Sequence, residues 1–302
     1  MNTICIIGSS GLLGSKLIES NFGYNIIGTY NKTFFPHSNL KLIKVNIKNF
    51  NDCQQILHHK PSSIINAAAI TNVDYCEEFK DEAYAVNVQG TQNLIKIAKS
   101  IGSKFIHISS DGIFSGKMSL YDEEQKPEPV NYYGKTKLES EKIVKEYPNH
   151  LILRTNLLYG ILKTPVNGRS DYTKKTNFPL WILSELQKNR ILKIAGDQFS
   201  NPTLADNLAK IIFKMIDKNL VGTFHVSDLT CISRYDFSVK IAEKFGHSKN
   251  LIKKISLSEL NQLAPRPKIT CLDCTKIQKY GIKLYTLEES LENFSKQFTH
   301  IT

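Results

Sequence analysis

Ile4-Cys5-Ile6-Ile7-Gly8-Ser9-Ser10-Gly11-Leu12-Leu13-Gly14 decides the fold. An apolar run, three glycines at three-residue spacing and a helical stretch follow one another. Thr3–Ile7 is therefore predicted to be a buried strand, and residues 12–20 the helix after it. Glycines at such a turn let the backbone approach a pyrophosphate, whose charge then lies against the helix N-terminus. A strand before and a helix after are the context that a dinucleotide-binding turn requires. Gly8, Ser10, Gly11, Leu12, Leu13 and Gly14 are the first candidates for cofactor contact.

The alternation continues downstream. Residues 24–29 and 40–45 read as strands, 52–58 as a helix and Ser63–Asn66 as a strand. Residues 81–100 follow as a long helix, 104–109 as a strand, 133–146 as a helix and 151–154 as a strand. Such alternation predicts an α/β fold, a Rossmann-type doubly wound parallel sheet. Past residue 160 the pattern changes. Residues 179–187 and 205–216 read as helices, 223–226 as a strand, and 233–245, 257–262 and 287–294 as short helices. The expected organisation is a Rossmann domain of residues 1–160 plus roughly 196–228. A smaller, mostly C-terminal α/β substrate domain takes 161–195 and 229–302, with ligand in the cleft between them. Residues 163–176 lack an apolar period and read as a loop. With Lys163, Arg169, Lys174 and Lys175 it is either a flap over a substrate diphosphate or a solvated insertion.

Composition narrows the function. The 302 residues carry a net charge of +11, but the basic residues are scattered without a block of like charges. A lysine-rich solvated surface with some attraction for anionic small molecules fits better than a nucleic-acid partner. No apolar run approaches the roughly 18–20 residues of a membrane span, and the N-terminus has no signal-peptide pattern. Six cysteines in so long a chain do not form a disulfide framework, and a cytoplasmic location is the expectation. Cys271-Leu272-Asp273-Cys274 has no second pair at metal-site spacing, so no metal centre is expected.

The residues with chemistry come next. After the second strand, Thr29-Tyr30-Asn31-Lys32 has no carboxylate to hold a ribose 2′-hydroxyl. Hydroxyl, amide and ammonium groups there suit a 2′-phosphate, so NADPH is favoured, with NADH possible; the alternative is that Lys32 caps a surface turn. Tyr133 and Lys137 stand at i and i+4 of a helix and so share a face. A nearby ammonium would lower the tyrosine pKa, and such a phenol can exchange a proton while hydride moves to or from a neighbouring carbon. Ser110, at a strand end, can bond the same substrate oxygen. Ser110, Tyr133 and Lys137 form the predicted catalytic set. His107 reads as a packed core histidine and Trp181 as a core or pocket-wall residue.

The G-x-x-G-x-x-G spacing and the Tyr-x-x-x-Lys helix resemble the extended short-chain dehydrogenase/reductases. From Ile4 onward the chain resembles dTDP-4-dehydrorhamnose reductases, through residues 66–74, 107–114, 131–141 and 154–160, Asn201-Pro202-Thr203, 222–226 and Arg266-Pro267. The resemblance implies NADPH-dependent reduction of the 4-keto group of a nucleotide-activated deoxysugar, for surface polysaccharide, by a possible homodimer. It adds Tyr30, Asn31, Lys32, Asn46, Ile47, Ala67, Ala68, Ala69 and Asn87 to the cofactor side, beside Tyr133 and Lys137. Asn87 doubles as a brace of the active-site strand. Thr71, Val73, Asp74, Ser110, Asp111, Asn156 and Arg266 fall on the substrate side. Gly112 stands where the family has a tyrosine near the sugar. The C-terminal pattern also resembles the regulatory β subunit of methionine adenosyltransferase, which implies a non-catalytic, NADP-binding alternative.

Overall fold

A computed structural model describes residues 2–35, 37, 40–162 and 177–298. Strands of four or more residues are β1 (Thr3–Ile7), β2 (Asn25–Tyr30), β3 (Lys41–Lys44), β4 (Ser63–Asn66) and β5 (Lys104–Ser110). Then come β6 (His150–Thr155), β7 (Leu192–Ala195), β8 (Gly222–His225) and β9 (Ile252–Ile255). Helices of eight or more residues are α1 (Leu12–Glu19), α2 (Gly90–Ile101), α3 (Tyr132–Lys145), α4 (Phe178–Gln187), α5 (Ala205–Asp217), α6 (Arg234–Lys244) and α7 (Leu287–Phe298).

Seven parallel strands form the main sheet in the order β8-β6-β5-β4-β1-β2-β3. All four residues of β4 and four of the five in β1 are buried, as befits strands covered on both faces. The strand order reverses between β1 and β4, which opens a crevice beyond their carboxyl ends. Gly8 follows β1 and Asn66 ends β4, so both border that crevice.

The smaller lobe has its own core, in which Ile182 and Leu186 of α4 meet Phe237 and Ile241 of α6 and Phe294 of α7. There β7 and β9 run parallel, pairing Leu192 with Ile252. Neither strand stands out in the sequence, because lysines (Lys193, Lys253 and Lys254) interrupt each short apolar run. The predicted boundary at residue 229 needs one amendment: Leu272, Ile277, Ile282 and Leu284 pack into the core of the main sheet. The predicted helix 81–100 is interrupted, since Ala85–Gln89 widens into a π turn between a short helix, Lys80–Tyr84, and α2. A missed helix, Val73–Glu78, is capped by Asn72, whose side chain accepts from the Tyr75 N–H. Trp181 is 38% exposed and rests on Phe178, outside the core. Cys231 and Cys271 form a disulfide, their Cα atoms 5.6 Å apart. Among the described residues no helix is long and apolar enough to cross a membrane.

Candidate active site

The glycine turn is built by close approach. Gly8 has φ +78°, and a Cβ there would come within 3.0 Å of the Ala68 backbone. A Cβ at Gly14 would lie 2.3 Å from the Gly8 carbonyl oxygen, so α1 can start so close to the strand only with glycine there. Gly11 donates its N–H to the Gly8 carbonyl (3.0 Å), and no side chain caps α1. The first N–H groups of that helix, at Leu12 and Leu13, thus suit an anion. Opposite them run Ala67, Ala68 and Ala69, half-buried; Ala67 N–H bonds the Ile7 carbonyl and Ala68 N–H the Asn66 side chain. These features fit a dinucleotide, with its pyrophosphate on α1 and its ribose along residues 67–69.

At the end of β2 the side chains divide between inside and outside. The Thr29 hydroxyl is turned inward, accepting from the Gly8 N–H (3.2 Å), so it does not face a 2′-phosphate. Tyr30 and Asn31 are half-buried and Lys32 is exposed. Asn46 uses its side-chain oxygen on the Lys48 N–H, and Ile47 is buried against Gly90.

Ser110 closes β5 and Tyr133 opens α3. The Asn131 side chain caps that helix by accepting from the Gly134 N–H (2.9 Å). A Cβ at Gly134 would fall 2.1 Å from the Gly112 carbonyl oxygen, so glycine lets the helix press against the 110–112 turn. A Cβ at Gly112 would lie 3.3 Å from Tyr133 Cε1 and 3.4 Å from Ser110 Oγ. Even a Cβ at residue 112 would crowd them, so the glycine lets the two groups expected to hold a substrate oxygen close in on the turn. Ser110 Oγ donates to Asp111 (2.9 Å) and accepts from the Gly112 N–H (3.0 Å).

The expected lowering of the Tyr133 pKa does not appear. Burial holds the phenol above its ordinary value, and a hydrogen bond with Ser110 opposes this only in part. Lys137 Nζ instead donates to the Ile108 carbonyl (2.7 Å) and lies 3.3 Å from His107 Nε2. Burial lowers Lys137 to about 8, opposed by Glu141 and Cys76. A neutral phenol is the form that can donate a proton.

Several buried groups brace this arrangement. Asn87 accepts from the Ile70 N–H (2.8 Å) and donates to the Ile70 carbonyl and to Thr136 on α3, so its amide ties the crevice wall to that helix. His107 is buried as predicted, but it also touches the site, contacting Lys137 and Ser140; burial keeps its pKa well below the ordinary value. Glu141 accepts from Arg154 through two hydrogen bonds (3.0 and 2.8 Å) and from Ser109 (2.6 Å), joining α3, β6 and β5.

Across the crevice, Arg266 pairs with Asp74 (2.9 Å), and Asp74 also accepts from the Ala264 N–H (3.0 Å). Thr71 is exposed and Val73 half-buried beside them. Asp111 accepts from Thr270, and burial raises its pKa. Asn156 is 3% exposed and donates to the Thr270 carbonyl (3.1 Å), which makes it a support beneath the cleft. Arg234 escaped the sequence reading. Its guanidinium stacks over Phe178 (5.2 Å), lies within electrostatic reach of Asp111 and Arg266, and makes no hydrogen bond among the described residues. Burial lowers it to about 10, still charged at neutral pH. Locally it is only a basic residue after a helix cap; tertiary packing brings it to the cleft. The loop 163–176 lies outside the described residues.

The model of the RmlD substrate binding domain matches residues 1–300. A dTDP-4-dehydrorhamnose reductase from Aggregatibacter actinomycetemcomitans is 32% identical over 312 residues, covering 97% of this chain and 98% of the relative. The methionine adenosyltransferase 2 subunit beta of Pongo abelii is 31% identical, covering 92% of this chain and 82% of the relative. Among solved structures, the Bacillus anthracis dTDP-4-dehydrorhamnose reductase in complex with NADP superposes with a TM-score of 0.84 at 28% identity, covering 98% of this chain and all of that one. The chain belongs to the RmlD substrate binding domain family, and its architecture is that of an NAD(P)-dependent oxidoreductase.

Proposed function

We propose that the protein reduces the 4-keto group of a nucleotide-activated deoxysugar with NADPH, in the cytoplasm, as a step toward a surface polysaccharide. The observation that carries this reading is the juxtaposition of Ser110 and Tyr133 across Gly112, beside a crevice suited to a dinucleotide. NADPH, when bound, supplies the hydride. Ser110 holds the carbonyl oxygen, and Tyr133 donates its phenolic proton to that oxygen as it becomes a hydroxyl. Lys137 then stabilises the phenolate through its positive charge. Arg234 and Arg266 face the diphosphate.

A second reading follows from the methionine adenosyltransferase relative: the chain binds NADP and regulates a catalytic partner. Intact Ser110, Tyr133 and Lys137 favour the enzyme. Incubation with NADPH and a panel of nucleotide 4-keto-6-deoxysugars separates the readings. The reductase predicts loss of NADPH absorbance with at least one sugar; no loss with any, together with a co-purifying enzyme, favours the regulator.

A further inference from the structure

We propose that Cys231 and Cys271 form a reversible thiol–disulfide exchange site, acted on by a small or protein dithiol, that sets substrate affinity. The inference rests on the reading that Ser110, Asp111 and Arg234 face the nucleotide sugar. The disulfide joins residues 40 apart in sequence, and the chain between them runs out through α6 and β9 and back. The bond therefore closes the base of this one excursion, residues 231–271, of the smaller lobe.

Both ends lead to the active site. Thr270, next to Cys271, donates to Asp111, whose other carboxylate oxygen accepts from Ser110. Arg234, three residues past Cys231, lies within electrostatic reach of the same Asp111. Both ends are also held by hydrogen bonds. Around Cys271, Thr270 N–H bonds the Phe199 carbonyl (3.0 Å), Tyr121 N–H the Cys271 carbonyl (2.9 Å) and Leu272 N–H the Asn201 side chain (2.9 Å). The Cys231 end is tied by the pairing of Ile232 and Ser233 with Ser200 and Phe199, by the Arg234 N–H on the Gln198 carbonyl (2.8 Å), by the Leu229 N–H on the Tyr285 carbonyl (2.8 Å) and by the Leu287 N–H on the Thr230 hydroxyl (3.2 Å). Cys231 is exposed and Cys271 buried, so opening the bond loosens first the outer segment, which carries Arg234.

The chemistry suits exchange. Cys231 is exposed and Cys271 buried. A dithiol's thiolate attacks the Cys231 sulfur; the S–S bond breaks, and Cys271 leaves as a thiolate and takes up a proton. The reagent's second thiol then resolves the mixed disulfide, freeing Cys231 as a thiol and leaving the reagent oxidised; two electrons pass to the protein. Cys274, the other half of the Cys-x-x-Cys pair, does not compete. It is buried, its sulfur lies 3.2 Å from the Ser227 hydroxyl, and burial pushes its thiol up to about 12. Disulfides in reducing compartments are usually transient and regulatory, which fits one exposed partner.

The test compares the oxidised full-length protein with the same protein treated with dithiothreitol and desalted. Reduction should add two titratable thiols and raise the KM for the keto sugar roughly five- to tenfold, with the NADPH Kd unchanged. Cys231→Ser should match the reduced form with or without dithiothreitol. Equal KM values, an unchanged thiol count, or a Cys231→Ser protein that still responds to the reagent would overturn the proposal. If no sugar is turned over, the functional reading fails by itself, and hydrogen exchange of residues 229–234 decides the exchange site. Faster exchange after reduction supports it, and equal exchange rejects it.

Discussion

Around β5 and α3 buried charge is met by partners of fixed geometry: Arg154 grips Glu141 through two hydrogen bonds, and Ser109 takes a further one. Across the crevice the charges are held more loosely. The Arg234 guanidinium rests on a ring without a hydrogen bond among the described residues, and Arg266 is anchored through Asp74, at the start of a six-residue helix. The difference separates two tasks. On the proposed reading, the sheet side holds the proton donor and its neighbours in place, whereas the lobe side keeps charge available for an anionic substrate.

The comparison can be broken at its rigid end first. Arg154→Met should leave Glu141 buried without its guanidinium and cost about 3–5 kcal/mol of stability, read as a fall in Tm. A loss below about 1 kcal/mol would mean that the pair is not what fixes α3 against the sheet. On the same side, Lys137 titrates near 8. Its ammonium is intact below that pH and lost above it, so kcat/KM should fall up to tenfold per pH unit on the alkaline side. A flat profile to pH 9.5 would contradict a role for the charge.

The loose end predicts smaller and more selective effects. Arg234→Met should raise the KM for the nucleotide sugar about tenfold, the scale of one charge-assisted hydrogen bond, and leave the NADPH Kd unchanged. An equal loss of NADPH affinity would move Arg234 to the cofactor side. Lys32→Ala should narrow the preference for NADPH over NADH by roughly three- to tenfold, measured by fluorescence titration. An unchanged ratio would leave the lysine as a surface residue.

The sheet side was also the more legible in sequence. The apolar runs of β1 and β4, the glycine spacing of residues 8–14 and the Tyr133/Lys137 pair are local patterns, and each stands where the pattern puts it. What stayed hidden depends on distant contacts. Burial, not the neighbouring ammonium, governs the Tyr133 phenol. Thr29 turns inward because the Gly8 N–H needs an acceptor. Arg234 and Thr270 reach Asp111 only through the folding of the smaller lobe, whose four-residue strands and single disulfide leave little periodic signal.

The central claim is that Tyr133 donates a proton as hydride reaches a sugar carbon, and deuteride transfer tests it most directly. With NADPH carrying deuterium at the transferable position, the product of a nucleotide 4-keto-6-deoxysugar should gain one deuterium at sugar carbon 4, read by mass spectrometry. Tyr133→Phe should slow that transfer by about 10²–10⁴-fold while still binding NADPH. Absence of deuterium from every sugar tried, or transfer that continues at the wild-type rate in Tyr133→Phe, would contradict the account.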